Sequence, residues 1–107
     1  MSWTTLCQVD ELIEGNGKYV DIDGKPLAVF LHNGSPFVLD NLCPHAGGEL
    51  ADGWVEEDGG HACAICPLHA WPFRLDTGEM PDGGAAVRTY PARIDGAFVQ
   101  ADLSLKL

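Results

Sequence analysis

Two short segments of this chain carry paired soft donors: Cys43-Pro44-His45 and, twenty residues further on, Cys66-Pro67-Leu68-His69. Each offers one thiolate and one imidazole, and each runs on into a glycine-rich or aromatic turn. A chain of this kind folds so that two separate loops meet, because a metal centre bonded to both supplies a cross-link that the loops themselves lack. The order Cys-His then Cys-His lets each loop give one ligand of each kind, so the two close on the centre like jaws.

The rest of the chain sets the frame for that meeting. With 107 residues there is room for one small domain, 1–107, and no second core. The hydrophobic share of 46% is too high for a disordered chain. Six Lys and Arg against sixteen Asp and Glu give a formal net charge of −10, which argues against nucleic acid as a partner and for a basic protein surface. Met1–Cys7 holds no basic leader and no long apolar stretch, and no segment reaches the roughly 18 apolar residues of a membrane span. A cytoplasmic protein without a membrane partner is expected, in which thiols stay reduced and serve as metal ligands. Of the four cysteines, Cys7 stands apart as a small buried apolar residue.

Turn chemistry indicates an all-β fold. Asp23-Gly24, Asn33-Gly34 and Asp95-Gly96 are hairpin signals. Strands are expected at Tyr19–Ile22, Leu27–His32, Pro36–Leu39, Val87–Tyr90, Ala92–Ile94 and Ala97–Gln100, with one helical turn within Val9–Gly15. Short strands spaced by glycine turns predict a small antiparallel β-sandwich or barrel base. The middle, about 41–84, differs: it holds both ligand pairs, eight of the thirteen glycines and two of the three tryptophans. Loops this rich in glycine cost backbone entropy without a core to offset it. The expected architecture is a base made from both ends of the chain, with 41–84 inserted as a metal-binding lobe.

The donor set admits three chemistries. Two thiolates and two neutral imidazoles suit a [2Fe–2S] centre with the thiolates on the buried iron; imidazole, a weaker and uncharged donor, raises the potential above that of an all-cysteine cluster. Structural zinc also accepts two Cys and two His, but its sites usually group like with like. Cys63-Ala64-Ile65-Cys66 is formally a dithiol motif, yet Pro67 and the turn residues around it oppose the helix such chemistry requires. A shifted ligand register through His61 and Cys63 is the remaining alternative. It is disfavoured because those residues belong to a strand, where positions two apart face one side; Cys63 and His32 are taken as structural and His61 as a surface residue.

The stretches Cys43-Pro-His-Ala-Gly-Gly-Glu-Leu50 and Cys66-Pro-Leu-His-Ala-Trp-Pro-Phe-Arg-Leu-Asp-Thr-Gly78, with the tail Val87–Val99, closely resemble the Rieske ferredoxin family across nearly the whole chain. The resemblance implies a Rieske-type fold and one [2Fe–2S] cluster, with Cys43 and Cys66 on the inner iron and His45 and His69 on the outer one. The stretch between the pairs is a few residues longer than usual, the excess falling in 55–60. Respiratory members of the family carry an additional cysteine in each loop, joined by a disulfide; Gly48 and Leu68 occupy those positions here. Trp71 and Phe73 stand where those members place a serine and a tyrosine, so fewer hydroxyls donate to the cluster. A potential at the low end of the Rieske range, about −150 mV, is implied.

The resemblance further implies an electron-transfer component, not catalytic alone, carrying single electrons from a flavoprotein reductase to a terminal oxygenase. The alternative it leaves open is the small subunit of an NAD(P)H-dependent nitrite reductase, partnered by the large subunit; a zinc-stabilised structural module is the third reading. At this length the chain has no room for the mononuclear-iron domain of an oxygenase α-subunit. Partner docking is expected at the tip carrying His45 and His69. Glu49, Asp52, Asp76, Glu79 and Asp82 are expected to flank it, with Arg74 as the nearby cation. The rival picture is docking driven by the apolar residues Ala46, Leu68 and Pro81.

Overall fold

The unbroken apolar run Leu27-Ala28-Val29-Phe30-Leu31 explains the layering of the molecule. A strand with one wet face alternates apolar with polar residues; a continuous run signals burial on both faces. The computed structural model describes residues 2–44 and 47–104. It places that run in the central region of β3 (Lys25–His32), within a four-stranded antiparallel sheet with β2 (Gly17–Ile22), β4 (Ser35–Asp40) and β8 (Thr89–Tyr90), in the order β2-β3-β4-β8. Leu27, Val29 and Leu31 point to one side, with Val20 and Val38; Ala28 and Phe30 point to the other, with Phe37 and Leu39. This sheet is the middle layer.

On one side lies the base sheet, β1 (Thr4–Gln8), β10 (Phe98–Ala101) and β9 (Ala92–Asp95), in the order β1-β10-β9. Both ends of the chain thus build the base, as the sequence implies. Buried Asp102 fastens them together: its carboxylate accepts from the backbone N–H of Ser2 at 3.3 Å and of Ser104 at 3.0 Å. On the other side lies the lobe sheet, β5 (Trp54–Asp58), β6 (His61–Ile65) and β7 (Pro72–Arg74), in sequence order.

Turn chemistry set most of the hairpins. Asp23 and Gly24 have φ of 52° and 84°, and Asn33 and Gly34 have 51° and 77°, the paired left-handed conformations that a two-residue hairpin loop matched to strand twist requires. The last hairpin differs from expectation by one residue. Asp95 pairs with Phe98, so the loop is Gly96-Ala97, with Gly96 at φ 61° as its first central residue. The strand expected over Val87–Tyr90 is only Thr89–Tyr90, because the Val87 N–H is drawn to Gly78 O at 2.9 Å instead. The helical turn in Val9–Gly15 is one 3-10 turn, Val9–Glu11.

The 55–60 stretch is not an irregular loop. It is the far half of the β5–β6 hairpin, closed by Gly59-Gly60 at φ 60° and 83°, with Asp58 paired to His61. Between Cys43 and β5 the chain makes a second 3-10 turn, Leu50–Asp52. That turn lies against β2 where there is no side chain: a methyl on Gly17 would come within 2.7 Å of Ala51 O.

Candidate metal centre

The first ligand loop leaves β4 and folds back on itself within a few residues. The Cys43 N–H donates to Gly48 O at 2.8 Å, and the Gly47 N–H to Cys43 O at 3.1 Å. Gly47 turns the chain at φ 70°, a conformation that suits glycine. Leu42 and Glu49 then pair across the neck of the loop. Cys43 is buried and packs in the core shared by the middle sheet and the lobe. His45, the second residue of the first pair, lies outside the described residues.

The second loop continues from β6. Ala62, Ala64 and Cys66 share the face of β6 that packs toward the middle sheet, as a two-residue period dictates. The Cys66 N–H donates to Trp71 O at 2.9 Å and closes the turn. Inside it His69 and Ala70 adopt φ of 66° and 55°. Left-handed backbone costs a residue with a Cβ about 1–2 kcal/mol, so two in succession make this the most strained stretch of backbone near the site. Pro67, Leu68, His69 and Ala70 are all exposed, whereas Cys66 is fully buried. One ligand candidate therefore stands inside and the other outside.

The two loops meet at Gly48. A methyl there would lie 2.7 Å from Cys66 Sγ and 3.1 Å from a Leu68 methyl, so only a glycine lets the second loop seat. Gly48 and Leu68 are thus neighbours, with the leucine side chain lying on the glycine. The thiols of Cys66 and Cys43 lie near enough for one to act on the other. Burial pushes the Cys66 thiol above its ordinary value; the Leu68 N–H donating to its sulfur pulls it back, and the Cys43 thiol pushes it up again. Two buried thiols from separate loops, with a backbone donor acting on one sulfur, suit the thiolate half of the Cys₂His₂ donor set that a [2Fe–2S] centre requires. The residues present fit that group. Among the described residues no three Cys, His, Asp or Glu side chains gather at a single point; the described ligand candidates are this thiol pair and His69, three residues beyond Cys66.

The shifted register finds no comparable arrangement. Cys63 and His61 lie on the other face of β6, with Cys63 fully buried and its thiol donating to His61 O at 3.5 Å. Burial raises the Cys63 thiol, and its cross-strand neighbour Arg74 lowers it in part. Cys7 is buried in the base core, on β1, and His32 ends β3 with its ring nitrogen 3.3 Å from Asn33 Nδ2.

The expected ring of acids around the tip is corrected by the hairpin. Pro81 packs against Gly59, at the turn end of β5–β6, about 13 Å of strand away from the Cys66 end. Asp82 follows Pro81 there, and Asp76 lines a hollow with Gly60 and His61. Glu49 pairs with Leu42 at the neck of the first ligand loop, and Asp52 ends the 3-10 turn that follows it. Among the described residues of the two loops, Leu42, Pro44, Gly47, Glu49 and 67–70 are exposed. The sequence alone placed Asp76 and Asp82 at the tip, whereas the length of the hairpin carries them toward its turn.

One residue of the site escaped sequence reasoning. Asn41 is 1% exposed, and its side chain reaches across the neck of the first loop to Glu49 and Ala51. The available signal was a polar residue directly after an apolar strand and two before Cys43, which is easily taken for ordinary turn chemistry.

A model of the Rieske-like [2Fe-2S] domain matches residues 2–102. The ferredoxin component of the naphthalene 1,2-dioxygenase system of Pseudomonas putida is 31% identical over 106 residues, 97% of this chain and 98% of its own length. A ferredoxin of Sphingomonas yanoikuyae B1 superposes with a TM-score of 0.78 at 33% identity, over 94% of this chain and 98% of that one. A candidate NADH-dependent nitrite reductase small subunit from Mycobacterium tuberculosis does so with a TM-score of 0.85 at 34% identity, over 94% and 93%.

Proposed function

This chain belongs to the Rieske-like [2Fe-2S] family, and from that premise we propose that it is a one-electron carrier between a flavoprotein reductase and a terminal oxygenase. It carries one Rieske-type [2Fe–2S] cluster, which when bound accepts and releases single electrons. Cys43 and Cys66 hold the inner iron, and His45 and His69 hold the outer one. The observation that supports this assignment is the seating of the first loop, at Gly48, against Cys66 Sγ, with the Cys43 thiol near enough to act on that of Cys66.

The chain's own groups then divide the work. Gly48 and the buried face of β6 seat the inner thiols out of water, and the Leu68 N–H donates to Cys66 sulfur. Trp71 and buried Phe73 bring no hydroxyl to that side, so added negative charge gains little stabilisation and the potential sits low in the Rieske range. His69 stands at the exposed tip, where an apolar surface of Leu42 and Leu68 offers a short approach to a partner. The whole of 1–107 serves as one domain, with 41–84 as its cluster lobe. No described helix is long and apolar enough to cross a membrane, and cytoplasmic placement is in keeping with four cysteines that form no disulfide.

The test is the protein as isolated. It should be red-brown, hold two irons and two acid-labile sulfides per chain, and give on reduction the low-average-g EPR signal of a mixed-ligand cluster. Cys63→Ser should leave that signal unchanged; its loss would favour the shifted register. A second reading, the small subunit of an NAD(P)H-dependent nitrite reductase, is supported by the TM-score of 0.85 to the Mycobacterium tuberculosis protein. A stable complex with a reductase large subunit on gel filtration would select it over a carrier that docks transiently with an oxygenase.

A further inference from the structure

We propose that Asn41 is a positioning residue for the centre: a buried amide strut that sets where Cys43 stands against Cys66. This rests on the reading of those two cysteines as ligands. Buried polar side chains are few here, Asn41, Thr89 and Asp102 among the described residues, and Asn41 alone adjoins a ligand loop. The cost of burying an amide is recovered only when its donors and acceptor are used.

Asn41 uses them to reach from the start of the first loop to its far end. The Ala51 N–H donates to Oδ1 at 2.9 Å, and Nδ2 donates to Glu49 Oε1 at 3.2 Å. Its backbone adds two more links: the Leu50 N–H donates to Asn41 O at 2.8 Å, and the Asn41 N–H donates to Pro26 O at 3.1 Å on β3. The preceding Asp40 is itself pinned by the Tyr90 hydroxyl at 2.6 Å. The start of the first loop is therefore tied to the middle sheet, and its far end, 49–51, is tied to its start. Between these ties lies Gly48, whose approach to Cys66 Sγ leaves no room for a methyl. A shift of the neck by a few tenths of an ångström is transmitted directly to the spacing of the two thiols.

The chemistry of the strut is directional. An amide N–H can only donate and a carboxylate can only accept, so position 41 must accept from Ala51 and donate to Glu49 at once. Asn41→Asp keeps the shape and the acceptor but sets a carboxylate against a carboxylate. Adding Glu49→Gln reverses the second bond, so that the residue at 49 becomes the donor, and restores both links at unchanged net charge. Glu49→Gln alone retains an acceptor for Nδ2.

The experiment measures cluster loss from the oxidised holoprotein under excess chelator, by visible absorbance, well below each variant's melting temperature. The EPR g values of the reduced forms are recorded alongside. Asn41→Asp should lose its cluster about 10–100-fold faster and shift its g values, as expected when a partner that orients a metal ligand is removed. Glu49→Gln, and the pair together, should stay within about threefold of the unaltered protein, with its g values. An Asn41→Asp protein that behaves as the unaltered one, or a combined variant no better than Asn41→Asp, overturns the proposal. Should Asn41→Asp fail to fold, the combined variant decides alone: a folded, cluster-retaining protein supports the strut and failure overturns it. An unaltered protein that purifies without iron and sulfide would instead overturn the ligand assignment beneath.

Discussion

The two faces of the middle sheet bury cores of different kinds. Toward the base, Leu27, Val29, Val38 and Val99 interlock as aliphatic side chains that are 0–1% exposed. Toward the lobe, Ala28, Phe30 and Leu39 meet two cysteines; the lobe approaches β2 where Gly17 is bare backbone, and within the lobe Gly48 and Gly53 sit close against Cys66 Sγ and Ile65 O. The base is held by side-chain packing that the chain supplies in full. The lobe gives up side chains at its closest contacts and holds His69 and Ala70 in left-handed backbone, so more of its order depends on what the two loops jointly bind. Stability and function are thus kept on opposite sides of one sheet.

The largest effect should come from breaking the lobe's cross-link. Cys66→Ala is expected to abolish cluster binding outright. Amide protons of β5, β6 and β7 should then exchange faster, while those of β1, β9 and β10 keep their protection. Equal loss in all three sheets, measured by hydrogen exchange, would show that the two cores are one cooperative unit.

Next come cavities cut into either face of β3. Phe30→Ala should cost about 3–5 kcal/mol and Leu27→Ala about 2–5 kcal/mol in denaturant unfolding of the holoprotein. Their separation lies in a second readout. Phe30→Ala, on the lobe face, should also hasten cluster release to a chelator, and Leu27→Ala should not. Similar release rates in both would erase the distinction between the faces.

Smaller still is the strain in the second loop. Ala70→Gly removes a Cβ from left-handed backbone, worth about 1–2 kcal/mol, but loosens the unfolded chain by up to about 1 kcal/mol. A net gain of at most about 2 kcal/mol is expected in thermal unfolding, with the base sheet unaffected; a loss would mean that the Ala70 methyl makes a contact that outweighs its strain.

The smallest effect concerns Asp76, whose carboxyl is held below its ordinary value of 3.8 by its hydrogen bonds to the Arg74 guanidinium, at 3.0 and 2.8 Å. A depressed value stabilises the folded form above the ordinary carboxylate range, and that contribution fades as pH falls through the folded value. Asp76→Asn should therefore weaken the protein slightly at neutral pH and flatten the acid limb of its stability curve. Because the pair is exposed, solvent screening keeps the change small. A steeper acid limb in the variant would contradict this sign.

What the amino-acid sequence determined by itself was whatever depends on neighbours along the chain. Asp23-Gly24 and Asn33-Gly34 specify hairpins because their backbone preferences match strand twist, and Leu27–Leu31 marks a strand covered on both sides. The paired Cys and His residues offer a candidate donor set through their chemistry alone. The tertiary structure decided what depends on segments that are distant in sequence. It made the 55–60 stretch a hairpin whose length carries Pro81 and Asp82 away from the tip. It brought Gly48 against Cys66, and it turned Asn41 from a turn residue into a buried strut. Local signals are short-range torsional and hydrophobic preferences, whereas close approach of two backbones and the satisfaction of a buried amide are settled only when the layers pack.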